Sequence, residues 1–302
     1  MQALSVAGLS KNYGSFAVLD DLNLQVDKGS IHGLVGLNGS GKTTTLECIL
    51  GLQSFNSGNI AALGLAPANL HQSKGRLVAI FDSPSLHPNL TVRQALKHAL
   101  LLCDSPTRSP AEVEELLGVS RFSDFKIKNL SLGNKRRASI AQALLGNPEL
   151  VVLDEPFNGL DAEGVDDVLA LIESLNKEQG TTFLLSSHQL PYLEQVCSHI
   201  AILHHGKISR SDTVHNLLGS AQTTLGIRTN EIDAASKIVE ALPGAELLSA
   251  DAEGYLNVAL TDSDSARINA ALVEQQIPVS ELVLKRASLA GLFRQLTSEE
   301  SS

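Results

Sequence analysis

The 302-residue sequence has no tryptophan, a single methionine and only 4% aromatic residues. Its three cysteines, Cys48, Cys103 and Cys197, are odd in number and far apart, which excludes a disulfide framework and a zinc-ligand spacing. Their apolar surroundings favour buried, reduced thiols and a reducing compartment. Basic residues are also in deficit. There are 23 Lys and Arg against 33 Asp and Glu, a formal charge of -10. Proteins that grip nucleic acid carry a basic footprint, so no nucleic-acid partner is expected. No apolar run approaches the ~20 residues of a membrane helix. The opening MQALSVAGLSKNYG lacks the basic start and apolar run of a signal peptide. What remains is a packed chain, 43% hydrophobic, long enough for two domains. Any work at a membrane is expected from the water side.

Hydrophobic periodicity divides the chain. Residues 3–9 and 17–26 alternate as half-buried strands, and 31–35 is a short apolar strand that runs into a glycine-rich loop. A helix is predicted over 43–51. Residues 90–143 read as mostly helical, with Thr91 as an N-cap and Ser109-Pro110 opening a helix over 111–117. Segments 150–153, 182–185 and 200–203 are near-continuous apolar runs, as in a parallel sheet covered on both faces. Around 218–224 the texture turns small and polar, a linker. Beyond it the pattern predicts a strand (224–228), a helix (232–242), a hairpin (246–249 and 255–260, turning through 251–254), a helix (264–276) and a strand (282–285). That βαββαβ order is the ferredoxin-like arrangement. The tail, 298–302, is polar.

Two features carry chemistry. Gly36-Leu37-Asn38-Gly39-Ser40-Gly41-Lys42-Thr43 fits G-x-x-x-x-G-K-[ST] between a predicted strand and a predicted helix. Its glycines let backbone N–H groups wrap phosphates. Lys42 supplies a point charge for the β- and γ-phosphates, Thr43 a hydroxyl for Mg²⁺, and the helix opening at Thr43 and Thr44 its positive end. The second feature is the strand 150–153 ending in Asp154 and Glu155. In phosphate-loop NTPases an Asp at such a place holds the Mg²⁺ shell. Glu155, next along, is positioned to polarise a water against the γ-phosphate.

With these motifs, residues 1–210 resemble the ATP-binding cassette (ABC) family. Tyr13 resembles the aromatic that stacks on adenine. Leu130-Ser131-Leu132-Gly133-Asn134 is similar to the signature LSGGQ, Gly159-Leu160-Asp161 to the D-loop, and Ser187-His188 to the switch histidine at the γ-phosphate. All stand in family order and spacing. The resemblance implies an α/β fold: a RecA-like core sheet, an N-terminal antiparallel β subdomain and a helical subdomain over about 84–143. The cassette would span 1–218 and a small C-terminal α+β domain 224–302. It also implies an ATPase using ATP and Mg²⁺, at the cytoplasmic face of the inner membrane, partnered by polytopic permease subunits. The resemblance implies that Asn134 and Asp161 also bind nucleotide, and in this family Ser131 and Gly133 would serve the ATP held by the opposite copy. One loop and one signature per chain therefore require a dimer.

The sequence departs from the pattern at two places. Leu132 and Asn134 replace the usual Gly and Gln of the signature. Asp82 stands where the family commonly has Gln, or Glu in some peptide-antibiotic exporters, and is expected to reach the metal through water. The stretch from Leu130 to Asp161 and the closing Ala287-Ser288-Leu289-Ala290-Gly291-Leu292-Phe293 are similar to bacitracin- and lantibiotic-resistance exporter ATPases. That favours export or extraction of a hydrophobic or peptide substrate. An importer ATPase and a non-transport ABC ATPase acting on a macromolecular assembly remain the alternatives.

Overall fold

The computed structural model describes residues 1–83, 86–219, 223–250, 255–260, 265–285 and 288–293. The chain forms two compact units, Met1–Val214 and His215–Ser302.

In the first unit, β1 (Gln2–Tyr13) and β2 (Phe16–Asp27) pair antiparallel, and β4 (Ser57–Ala62) adds to the free edge of β1. Leu4 and Val6 of β1, and Leu22, Leu24 and Val26 of β2, alternate into one core as period 2 demands, and Leu9 joins it after a register shift between Val6 and Leu9. That core also takes Leu34 of β3 (Ile31–Val35) and Leu46 and Ile49 of α1 (Lys42–Ile49). Each fully buried leucine contributes about 2 kcal/mol.

A second sheet has the order β5-β6-β7-β3-β8-β9. Strands β5 (Leu77–Ile80), β6 (Leu150–Asp154), β7 (Thr182–Ser187) and β8 (His199–His204) run parallel with β3, and β9 (Lys207–Thr213) closes one edge antiparallel. Both faces are covered. Val152 and Leu184 face the α1 core. Val151, Leu153 and Phe183 face Val168, Ile172 and Leu175 of α5 (Ala162–Gln179). Helix α6 (Leu190–Val196) packs against β3 and β7.

Helices α2 (Val92–Leu101), α3 (Pro110–Leu116) and α4 (Leu132–Ala143) pack on one another. Their starts are written in the sequence. Thr91 and Ser109 each close a capping box with Gln94 and Glu112, and Ser131 caps α4 by accepting from the Asn134 N–H. Helix α7 (Val214–Gly219) begins at the join of the units.

The second unit is β10 (Thr223–Thr229), α8 (Ile232–Glu240), β11 (Ala245–Ala250), β12 (Tyr255–Leu260), α9 (Ser265–Glu274) and β13 (Val279–Lys285). Its sheet, β11-β12-β10-β13, is antiparallel throughout. Leu225, Ile227, Leu256 and Val258 of the sheet bury against Ala235, Val239, Ile268 and Leu272 of the helices. The element order is the expected βαββαβ, with both helices shorter than predicted. The turn 251–254 and the tail 298–302 lie outside the described residues. Among the described residues, no helix is long and apolar enough to cross a membrane.

Candidate nucleotide site

The parallel strands β3, β5, β6 and β7 end on the same side of their sheet, the edge where open α/β sheets bind ligands. After β3 the chain turns through Gly36–Gly41 into α1. Two of these glycines are obligatory. A Cβ on Gly36 would sit 2.3 Å from Ser40 Oγ and 2.6 Å from the Leu203 carbonyl, and Gly41 has φ 106°. Helix α1 has no side-chain cap. Its first-turn N–H groups, at Lys42, Thr43 and Thr44, are therefore available to an anion.

The side chains at this edge form a connected set. The buried Lys42 ammonium donates to the carbonyls of Gly36 (2.8 Å) and Leu37 (3.3 Å) and lies 3.5 Å from Glu155 Oε1. Thr43 Oγ1 donates to Asp154 Oδ2 at 3.0 Å, and Ser186 Oγ donates to the other oxygen of that carboxylate. Ser187 Oγ donates to Glu155 Oε2 at 2.9 Å, while His188 Nδ1 is 2.9 Å from Glu155 Oε1. Glu155 itself has φ 47°, a left-handed conformation unfavourable for a residue with a Cβ. Its N–H is tied to the Ser186 carbonyl at 2.9 Å.

Asn38, Gly39, Gly41, Lys42, Thr43, Thr44, Asp82, Asp154, Glu155 and His188 all line one pocket of about 410 Å³. The volume is in the range of small-ligand sites. Gly36 and Ser40 shape the loop behind it. Tyr13 is half-exposed at the end of the β1–β2 hairpin, off the pocket wall, with Lys11 Nζ 4.7 Å above its ring.

Ser131, Gly133, Asn134 and Asp161 are elsewhere. They line a separate pocket of about 330 Å³ with Arg121 and Arg137, and the two pockets share no residue. Ser131 and Asp161 also cap their own helices, α4 and α5.

The Thr43 hydroxyl and the Asp154 carboxylate are hard oxygen donors within hydrogen-bond reach of each other, a set that fits Mg²⁺. Among the described residues no three His, Cys, Asp or Glu side chains form a metal cage by themselves. A magnesium ion here would complete its shell with phosphate oxygens and water.

Ser187, named with His188 in the sequence, holds Glu155; Ser186, Asn158 and Arg136 were not singled out and also shape the site, Ser186 by holding Asp154. Asn158 lies on the pocket wall and bonds Asp82 Oδ1 (3.1 Å) and Gln189 Nε2 (2.9 Å). Arg136 pairs with Asp82 at 2.9 Å. The sequence signal was thin: two hydroxyls closing an apolar strand, and a Lys-Arg-Arg run on a helix.

The family model described as ABC transporter matches residues 19–158. The bacitracin transport ATP-binding protein BcrA of Bacillus licheniformis is 33% identical over 97% of this chain and 96% of its own length. The lantibiotic transport ATP-binding protein SrtF of Streptococcus pyogenes is 32% identical over 68% of this chain and 88% of its own. Among solved structures, an ATP-binding subunit of an ABC transporter superposes with a TM-score of 0.64 at 30% identity, covering 71% of this chain and 91% of that one. The chain belongs to the ABC transporter ATP-binding family and is an ATPase subunit of that kind.

Proposed function

We propose that the chain binds Mg²⁺-ATP in the phosphate-loop pocket, and that a second copy completes the site with its signature residues. The observation that carries this is the separation of the two pockets. Ser131 and Gly133, with the N-terminus of α4 behind them, line a pocket that shares no residue with the one holding the chain's own Lys42. A helix N-terminus and a hydroxyl are suited to a phosphate, and a symmetric pair would use both.

In this reading Lys42 and the α1 amides hold the β- and γ-phosphates, and Tyr13 stacks on the base. Thr43 and Asp154 hold the magnesium ion, which when bound neutralises developing phosphate charge. The sequence nominates Asp82 as a further oxygen donor, but its Oδ1 already accepts from Arg136 and Asn158. Glu155, oriented by Ser187 and His188, polarises the attacking water. Asp161 and Asn134 act across the copy interface.

The pair drives a polytopic permease from the cytoplasmic face of the membrane. The match to the bacitracin transport relative spans both units of the chain, which supports export of a peptide or hydrophobic molecule. The strand order β11-β12-β10-β13 supports a ferredoxin-like accessory domain over about 224–302, following a cassette that ends near 218.

A direct test is Gly133→Asp. A Cβ there meets nothing closer than Leu160 Cδ2 at 3.4 Å, an ordinary van der Waals contact. Binding of a fluorescent ATP analogue should stay within about 3-fold, because no residue of the phosphate-loop pocket is altered. Turnover should fall by about 100-fold or more, as expected when donors to a transferring phosphate are opposed by a charge. Unchanged turnover would contradict the reading.

A further inference from the structure

Asp82 faces the phosphate-loop pocket, yet protein groups already hold its carboxylate. Oδ1 accepts from Arg136 Nη2 at 2.9 Å and from Asn158 Nδ2 at 3.1 Å. Arg136 also donates to the carbonyls of Phe81 (2.7 Å) and Asp82 (2.6 Å). The two partners differ sharply in exposure: the Arg136 side chain is 1% accessible and that of Asp82 54%. Burial pushes the guanidinium down from its usual value and Asp82 opposes that, so Asp82 is the main counter-charge of a buried cation. Arg136 Nε has no hydrogen-bond partner among the described residues, which leaves the Asp82 side as its principal anchor.

What this pair joins gives it meaning. Arg136 lies on α4, whose N-cap is the signature Ser131. Asp82 follows β5 at the catalytic edge. From Asp82 the bonds continue through Asn158 to Gln189, the residue after His188. An unbroken hydrogen-bonded path therefore runs from the signature helix to the residues around Glu155.

We infer that Asp82 is a positioning residue: its ion pair with Arg136 fixes the signature helix α4 against the catalytic edge of the same cassette, and so sets how the two half-sites are spaced. Resting on the proposed two-copy site, this assigns Asp82 to protein geometry and leaves the cation to Thr43 and Asp154. Removing Asp82's charge leaves the buried Arg136 cation uncompensated, whereas removing both charges does not.

The test is a double-mutant cycle of Asp82→Asn and Arg136→Gln. Each single change should lower kcat about 10-fold, and the double change should lose no more than the worse single, as for residues acting as one unit. Binding of a fluorescent ATP analogue to the monomer and the Mg²⁺ concentration for half-maximal turnover should both stay within about 2-fold. A several-fold higher Mg²⁺ requirement in Asp82→Asn alone would make Asp82 a cation ligand and overturn the inference. So would strictly multiplicative losses.

If Arg136→Gln does not fold, the exposed Asp82→Asn decides, through its Mg²⁺ titration and through ATP-induced dimerisation in a Glu155→Gln background. Dimerisation about 10-fold weaker than in Glu155→Gln alone supports the inference; equal dimerisation refutes it. A Glu155→Gln chain that never dimerises refutes the two-copy site instead.

Discussion

Glu155 is the most constrained side chain of the site. Its backbone is left-handed, its N–H is tied to β7, and its two oxygens are shared among Ser187, His188 and Lys42. That much restraint holds a carboxylate in one orientation, as a group that must aim a water requires. Lys42 is the buried positive charge beside it. Lys42→Ala should therefore abolish ATP-analogue binding, weakening it about 100-fold or more, because a charge-assisted phosphate contact and the counter-charge of Glu155 vanish together. Binding within a few-fold of the unaltered chain would show that the phosphates lie elsewhere. Lys42, Thr43, Asp154, Glu155 and His188 were all legible in the sequence, since each follows a strand or opens a helix at a fixed offset. Ser186 was not. Its contact with Asp154 exists only because β6 and β7 are in parallel register, Asp154 beside Ser186, and a single sequence carries no record of register.

At the scale of elements, legibility follows how strong the local signals are. Thr91 and Ser109 announce α2 and α3 because a cap and its partner lie three residues apart. Strands β6 and β7 stand out as apolar runs. Strand β4, Ser-Gly-Asn-Ile-Ala-Ala, is not among the predicted strands and pairs with β1. Strand β9 is a mostly exposed edge with no apolar stripe.

His32 of β3 has a setting with a measurable consequence. It is buried, stacks on His199 at 5.5 Å, and its Nε2 has no partner among the described residues. Burial, aided by the neighbouring His199, lowers its pKa from 6.5 to about 4. The native chain thus refuses a proton that the unfolded chain accepts. Stability is intact above pH 6.5 and is lost as the pH falls from 6.5 towards about 4. Between pH 7 and pH 5 the unaltered chain should lose about 2 kcal/mol more than His32→Gln in urea unfolding. Parallel losses in the two chains would remove His32 as the cause.

On the scale of the whole molecule, the sequence placed a linker near 218–224, and the compact units meet between Val214 and His215. The site itself is divided too. One face of the cassette carries a phosphate-loop pocket with acids, hydroxyls and a lysine, and another carries a helix N-terminus with Ser131 and Gly133 and no acid strand end. The sequence implied a shared site through one loop and one signature, and the proposed pairing of two copies would bring such pockets together.

The central claim is that ATP joins two copies. Sedimentation equilibrium of Glu155→Gln, which binds ATP but should not hydrolyse it, tests that claim most directly. With ATP and Mg²⁺ the chain should sediment as a dimer, and with ADP or no nucleotide as a monomer. A monomer at saturating ATP would contradict the account.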